Sequence, residues 1–222
     1  MPENLSNLAD KIHSCKKCPR LVEFRESVLK DSKKFEGEVF WRKPVSGFGD
    51  INGKIMIIGL APAASGANRT GRPFTGDKSS EFLVSCLHEA GITTQPDSVS
   101  KEDGLAYTDS FITLAVKCVP PDNRPDNIEI KNCLPYLCSE MEMMKNLKTV
   151  IVLGGLAFNS LLSCLKSKGI ETGNVKFSNG GEYDFNGLKV FCIYHPSPRN
   201  VNTGRITREK FMEIIIKAVN SP

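Results

Sequence analysis

Four short runs along the chain are apolar at every position or nearly so: Lys54–Gly59, the FITLAVKCV centre of 107–119, TVIVL at 149–153 and KVFCIY at 189–194. Runs of this length with no polar alternation predict strands buried on both faces. Between them the apolar spacing widens to the helical period. Phe82, Leu83, Cys86 and Leu87 share one face of a helix predicted over 78–90. Further helices are expected over 126–145, 157–166 and 206–219, and two short ones over 4–13 and from Pro19 to about residue 29. The stretch 33–52 has no period and reads as a loop with a short strand near Val39-Phe40. Strands alternating with helices predict an α/β fold with a mostly parallel sheet covered on both sides.

In such a sheet, ligands bind beyond the carboxyl ends of the strands. Three unusual segments fall there: Gly59–Asp77 after the first strand, 117–124 after the second, and 195–202 after the last. Their common end of the sheet predicts a single site.

Gly59–Asp77, GLAPAASGANRTGRPFTGD, has the glycine content of a phosphate loop. It lacks the Lys-Ser/Thr pair that opens the helix of a Walker loop and the glycine spacing of a dinucleotide fingerprint. It reads instead as the wall of a pocket for a flat ligand. Gly and Ala permit close approach, Phe74 offers a stacking face, and Asn68, Arg69, Arg72 and Asp77 bring polarity. The plain alternative is a surface loop, and Asp77 also suits the N-cap of the helix that follows. HPSPRN at 195–200 sets a histidine at a strand end, stiffened by two prolines and followed by Arg199, Asn200, Asn202, Arg205 and Arg208. That is a basic, amide-rich patch suited to phosphates.

The chain has 222 residues, a net charge of +4 and no run long enough to span a bilayer. The sequence MPENLSNLADKIHSC lacks signal-peptide order, so a soluble, cytoplasmic, monomeric protein is expected. Eight cysteines change the picture. Cys15 and Cys18 form C-x-x-C, Cys118 ends the second apolar run, and Cys133 follows within NCLPYLC, where Cys138 competes with it. Four thiolates suit zinc or an iron–sulfur cluster, and spacing does not choose between them. Cys86, Cys164 and Cys192 read as buried core thiols. With three histidines in the chain, a structural metal role is expected, pinning the N-terminal segment to the loop after the second strand.

Taken together, GLAPAASGANRTGRPFTGD at 59–77, VKCVPPDNRP at 116–125, EIKNCLPYL at 129–137, VIVLGGLA at 150–157 and HPSPRNVNTGR at 195–205 resemble the uracil-DNA glycosylase superfamily. The match is to its iron–sulfur branch, family 5 (type b). The resemblance implies a three-layer α/β/α sandwich around a short, mostly parallel sheet, as one domain over 1–222. It implies a [4Fe-4S] cluster on Cys15, Cys18, Cys118 and Cys133, with zinc the lesser alternative. It implies hydrolysis of the glycosidic bond of a damaged base in double- or single-stranded DNA, after the nucleotide is flipped out.

Gly59, Leu60, Ala61, Phe74 and Leu114 would line the base pocket, with Phe74 stacking on the base. His195 would stabilise the departing base. Ser197, Arg199 and Asn200 would face DNA. Related families carry an acidic or amide residue where this chain has Leu60-Ala61-Pro62. That shifts the burden from water activation to leaving-group stabilisation, with Asn68 or Asp77 as the polar partner. Leu114 stands where many superfamily members carry Asn to read a pyrimidine. A permissive pocket that also accepts hypoxanthine or xanthine is therefore expected. Two rivals are a catalytically inactive, metal-stapled nucleic-acid-binding protein and a zinc nucleotide hydrolase using Asp77.

Overall fold

The computed structural model describes residues 4–221. Its sheet has six strands in the order β1-β3-β2-β4-β6-β5. These are β1 (Phe48–Gly49), β2 (Ile55–Gly59), β3 (Ser110–Leu114), β4 (Thr149–Leu153), β5 (Glu182–Phe185) and β6 (Leu188–Ile193). The four central strands are parallel, and β1 and β5 are antiparallel edges. Every residue of β2, β3 and β4 is buried, as their unbroken apolar composition requires.

Alternate side chains divide between two cores. Ile55, Ile57, Ile112, Leu114, Ile151 and Phe191 pack under α4 (Lys78–Glu89) and α8 (Arg208–Val219). Met56, Ile58, Phe111, Val150, Val152 and Cys192 pack under α5 (Asn127–Met143) and α6 (Gly155–Ser167). This is the expected three-layer α/β/α sandwich, with a mixed sheet that is parallel at its centre. α1 (Leu5–His13) packs on α5, and α2 (Pro19–Ser27) follows it.

The strand expected at Val39-Phe40 does not form; the edge strand is Phe48–Gly49 instead. Val39 is 96% exposed and finds no partner strand. β5 escaped the pattern because its residues, EYDF, are mostly exposed at an edge. β3 is shorter than its apolar run. Beyond Leu114, Ala115 and Val116 stay buried and donate to the carbonyls of Gly59 and Leu60, so two loops leave the sheet side by side. Two short helices, α3 (Ala67–Thr70) and α7 (Pro198–Asn202), lie inside the suspected loops.

Buried charge secures this end of the sheet. Lys117 Nζ donates to Glu140 Oε2 at 2.7 Å and to Thr113 Oγ1 at 2.6 Å. Glu140 also accepts from the Thr113 hydroxyl and the Gly47 N–H. A buried pair so fully hydrogen-bonded fixes geometry more than it adds stability. Here it ties the end of β3 to α5.

Candidate active site

The loops after β2, β3 and β6 meet at one cavity, as their shared position predicts. Its narrow inner part is lined by Ala61, Pro62, Ala63, Ala67, Phe74, Asp77, Ser79, Leu114 and His195. It opens into a wider groove that adds Leu60, Ser65, Lys78, Pro120, Asn123, Ser197, Pro198 and Arg199. Ala61, Pro62, Ala63, Asp77, Ser79 and His195 line both parts.

Gly59 is required by contact. A β-carbon there would lie 2.7 Å from the Phe74 ring and 2.9 Å from Leu114 Cδ2. The ring therefore rests on bare backbone at the end of β2. Phe74 adopts φ of +46°, a left-handed conformation that is costly for an aromatic residue. Its ring stacks on His195 with centroids 5.8 Å apart and planes 29° apart.

Burial lowers the His195 pKa to about 4, so the imidazole is neutral near pH 7. No hydrogen bond joins its ring to another of the described residues. Its backbone is held, however: the His195 carbonyl accepts from Asn200 Nδ2 and Ser197 N, both at 2.8 Å. Ser197 in turn caps α7 by accepting from Asn200 N.

Asp77 both caps and lines. Its Oδ1 accepts from Ser80 N at 2.9 Å while Ser80 Oγ accepts from Asp77 N, a capping box at the start of α4. Oδ2 lies against Gly66, where a side chain would collide with it. Desolvation raises the Asp77 pKa, offset in part by the N–H groups of Ser80 and Ser79.

Three expected site residues do not line the cavity: Gly59, which lies behind the Phe74 ring, Asn68 and Asn200. Asn68 lines neither part of the cavity. α3 begins at Ala67, which faces the pocket, and the next helical position turns about 100° away. Asn68 Nδ2 donates to the Arg25 carbonyl at 3.2 Å, and Asn68 is 1% exposed. Asn200 spends its amide on the His195 carbonyl instead of facing the groove. Leu60, Ala61, Phe74, Leu114, Ser197 and Arg199 do line it, with His195 and Asp77. Ser79 and Asn123 join them without having been singled out. Asn123 has φ of +56°, and the Pro-Pro-Asp-Asn turn was its sequence signal.

Cys15, Cys18, Cys118 and Cys133 line a second, small cavity with Arg25, Lys117 and Tyr136. Arg25 Nη1 donates to Cys118 Sγ at 3.2 Å, and Asn132 Nδ2 to Cys18 Sγ at 3.5 Å. Burial pushes the Cys133 thiol up to about 12. Among the described residues, no group of three or more His, Cys, Asp or Glu side chains closes on a single metal ion. Cys138, the competitor for Cys133, lies outside this cavity and is disulfide-bonded to Cys164, joining α5 to α6. Cys164 is buried in the core, as its apolar helix face suggests, with Cys138 as its partner. Cys86 and Cys192 are free and buried.

Residues 46–219 match the model of the uracil DNA glycosylase superfamily. The chain is 42% identical over 212 residues to a type-5 uracil-DNA glycosylase of Pyrobaculum aerophilum, covering 96% of this chain and 91% of that one. It is 40% identical to a type-5 uracil-DNA glycosylase of Thermus thermophilus, covering 92% of each. A type-4 uracil-DNA glycosylase of Pyrobaculum aerophilum is 31% identical, covering 87% of this chain. A cavity walled by the LAP turn, Phe74 and His195, matched across nearly the whole chain, makes this protein a member of the uracil-DNA glycosylase superfamily, in its type-5 branch.

Proposed function

We propose that this chain removes uracil from DNA by hydrolysing its N-glycosidic bond, and that it also accepts hypoxanthine and xanthine. The observation that carries the wider range is the chemistry of the pocket wall. Ala61, Pro62, Ala63, Ala67, Phe74 and Leu114 present no hydrogen-bonding side chain, and only His195, Asp77 and Ser79 do. A wall that makes few polar demands rejects few bases, because discrimination needs buried groups that a wrong base leaves unpaired.

The flipped base stacks on Phe74. Neutral His195 donates to the base oxygen that gains negative charge as the bond breaks. Departure of a delocalised base anion leaves an oxocarbenium-like sugar, for which leaving-group stabilisation matters more than a strong base. Asp77 Oδ2, free of the helix cap, faces that cation or the attacking water. Ser197 and Arg199 on the groove rim meet the DNA backbone.

Cys15, Cys18, Cys118 and Cys133 would hold a [4Fe-4S] cluster. Four soft thiols on one cavity, beside the buried Arg25 guanidinium whose Nε has no partner, are a donor set suited to an anionic thiolate cluster. When bound, the cluster supplies structure: it joins the segment before α2 to the end of β3 and to α5.

The test is base release from duplexes bearing uracil, hypoxanthine, xanthine or mispaired thymine. Release of several deaminated bases is expected. Stringent uracil activity alone would sink the permissive pocket, and duplex binding without any release would favour an inactive binding protein.

A further inference from the structure

The left-handed Phe74 lies in a segment hydrogen-bonded by residues that line neither part of the cavity. Arg72, two positions before it, is 2% exposed. Its Nη1 and Nη2 donate to Asp103 Oδ1 and Oδ2 at 2.8 and 2.7 Å. Its Nε donates to Thr75 Oγ1 at 2.9 Å, and Nη2 also reaches Ser98 Oγ at 2.9 Å. One guanidinium thus grips the chain on both sides of Phe74. Asp103 is itself anchored, accepting from the N–H groups of Val99, Ser100 and Leu105. Gly76 N donates to the Ser98 carbonyl at 2.8 Å, which closes the loop from the other end.

A planar, bidentate fork fixes both distance and angle, which a lysine could not do. The segment braced is the one carrying the strained Phe74 φ, and strain persists only where surroundings over-determine it. The ring so fixed is also the one that stacks on His195, whose imidazole has no hydrogen bond of its own among the described residues.

We propose that the buried Arg72–Asp103 pair, with Thr75 and Ser98, is a positioning device that sets the Phe74 ring against His195 and the flipped base. Arg72 and Asp103 are positioning residues, and the proposal rests on the reading of Phe74 as the base-stacking wall.

The test is single-turnover base release from a uracil duplex by Asp103→Asn and Arg72→Lys, each with and without Phe74→Ala, together with a crystal structure of Asp103→Asn. With Phe74 present, each substitution is expected to slow release about tenfold or more, since small misplacements are costly. Duplex affinity should stay unchanged, because the pair lies away from the groove. On the Phe74→Ala background the same substitutions should add almost nothing. Independent, multiplying effects on that background would overturn the proposal, as would an Asp103→Asn structure with Phe74 still left-handed and stacked on His195. Unchanged release by Phe74→Ala alone would instead sink the stacking reading, leaving that crystal structure to judge the brace. Should Arg72→Lys fail to fold, the nearly isosteric Asp103→Asn carries the test.

Discussion

The two cavities of this protein share a wall and are built in opposite ways. Ala61 lines the His195 cavity and also packs against the cluster of Leu21, Val116, Cys118 and Cys133. α3 divides the two directions, with Ala67 facing the first cavity and Asn68 bonded to Arg25, which in turn reaches Cys118. On the cysteine side, polar atoms converge on the sulfurs. On the His195 side, the polar groups are few, and the imidazole has no hydrogen bond among the described residues. A staple wants its groups satisfied in the resting state. A site that stabilises a departing base needs a donor left free until charge develops, in surroundings that do not reorganise.

That contrast can be broken at several points. The largest effect is expected at the proposed cluster site. Cys118→Ser should abolish the brown colour of a cluster and lower stability by several kcal/mol, measured by denaturant unfolding, because binding energy there is folding energy. Unchanged colour and unfolding midpoint would remove the cysteine cavity from the metal reading.

His195→Ala should slow base release by about a hundredfold to a thousandfold, the usual cost of one preorganised donor, and leave duplex affinity nearly intact. A matching loss of binding would make the residue a DNA contact instead.

The low His195 pKa has a sign that can be read in stability. The unfolded chain takes a proton near the ordinary value of 6.5, whereas the folded chain refuses it until about 4. The unfolded state therefore binds more protons in this window, and stability rises with pH across it. The contribution is complete above about 6.5 and lost as pH falls through about 4, at most roughly 3 kcal/mol. His195→Ala should flatten that slope in urea titrations run across the window.

Asp77→Asn should keep the cap of α4, since Asn caps as well as Asp, and still slow base release. Asp77→Ala should slow release similarly and cost about 1 kcal/mol of stability besides. Equal rates for Asp77→Asn and the unaltered chain would reduce Asp77 to a cap. The smallest effect is expected from Asn68→Ala: about 1 kcal/mol from one lost hydrogen bond, with the rate of base release preserved. A rate loss as large as that of His195→Ala would return Asn68 to the catalytic side of α3.

Central strands were legible because burial on both faces leaves unbroken apolar runs, as in Ile55–Gly59 and Thr149–Leu153, and helices because one buried face repeats at the helical period, as in Lys78–Glu89. Edge strands were not: β5 buries only Phe185 of its four residues, and β1 is two residues long. Convergence of the three loops was legible too, because the carboxyl ends of parallel strands lie on one side of the sheet. The direction of individual side chains was not. Asn68 and Ala67 are neighbours in sequence, yet Ala67 lines the His195 cavity while Asn68 turns away to the Arg25 carbonyl. Asn200 looked like a DNA contact and is spent on the carbonyl of His195. Ser79, inconspicuous in a helix start, lines the pocket because the cap at Asp77 turns the first helical turn toward it.

The sequence by itself determined the layers, the end of the sheet that carries the site, the family and the residue types that can meet there. Those follow from local periodicity and from motifs whose order along the chain survives folding. Only the tertiary structure decided that Cys138 pairs with Cys164. It alone turned Asn68 away and gave His195 a neutral ring stacked on Phe74. Such outcomes depend on contacts between residues far apart in the chain, on helical phase and on burial, none of which a linear pattern encodes.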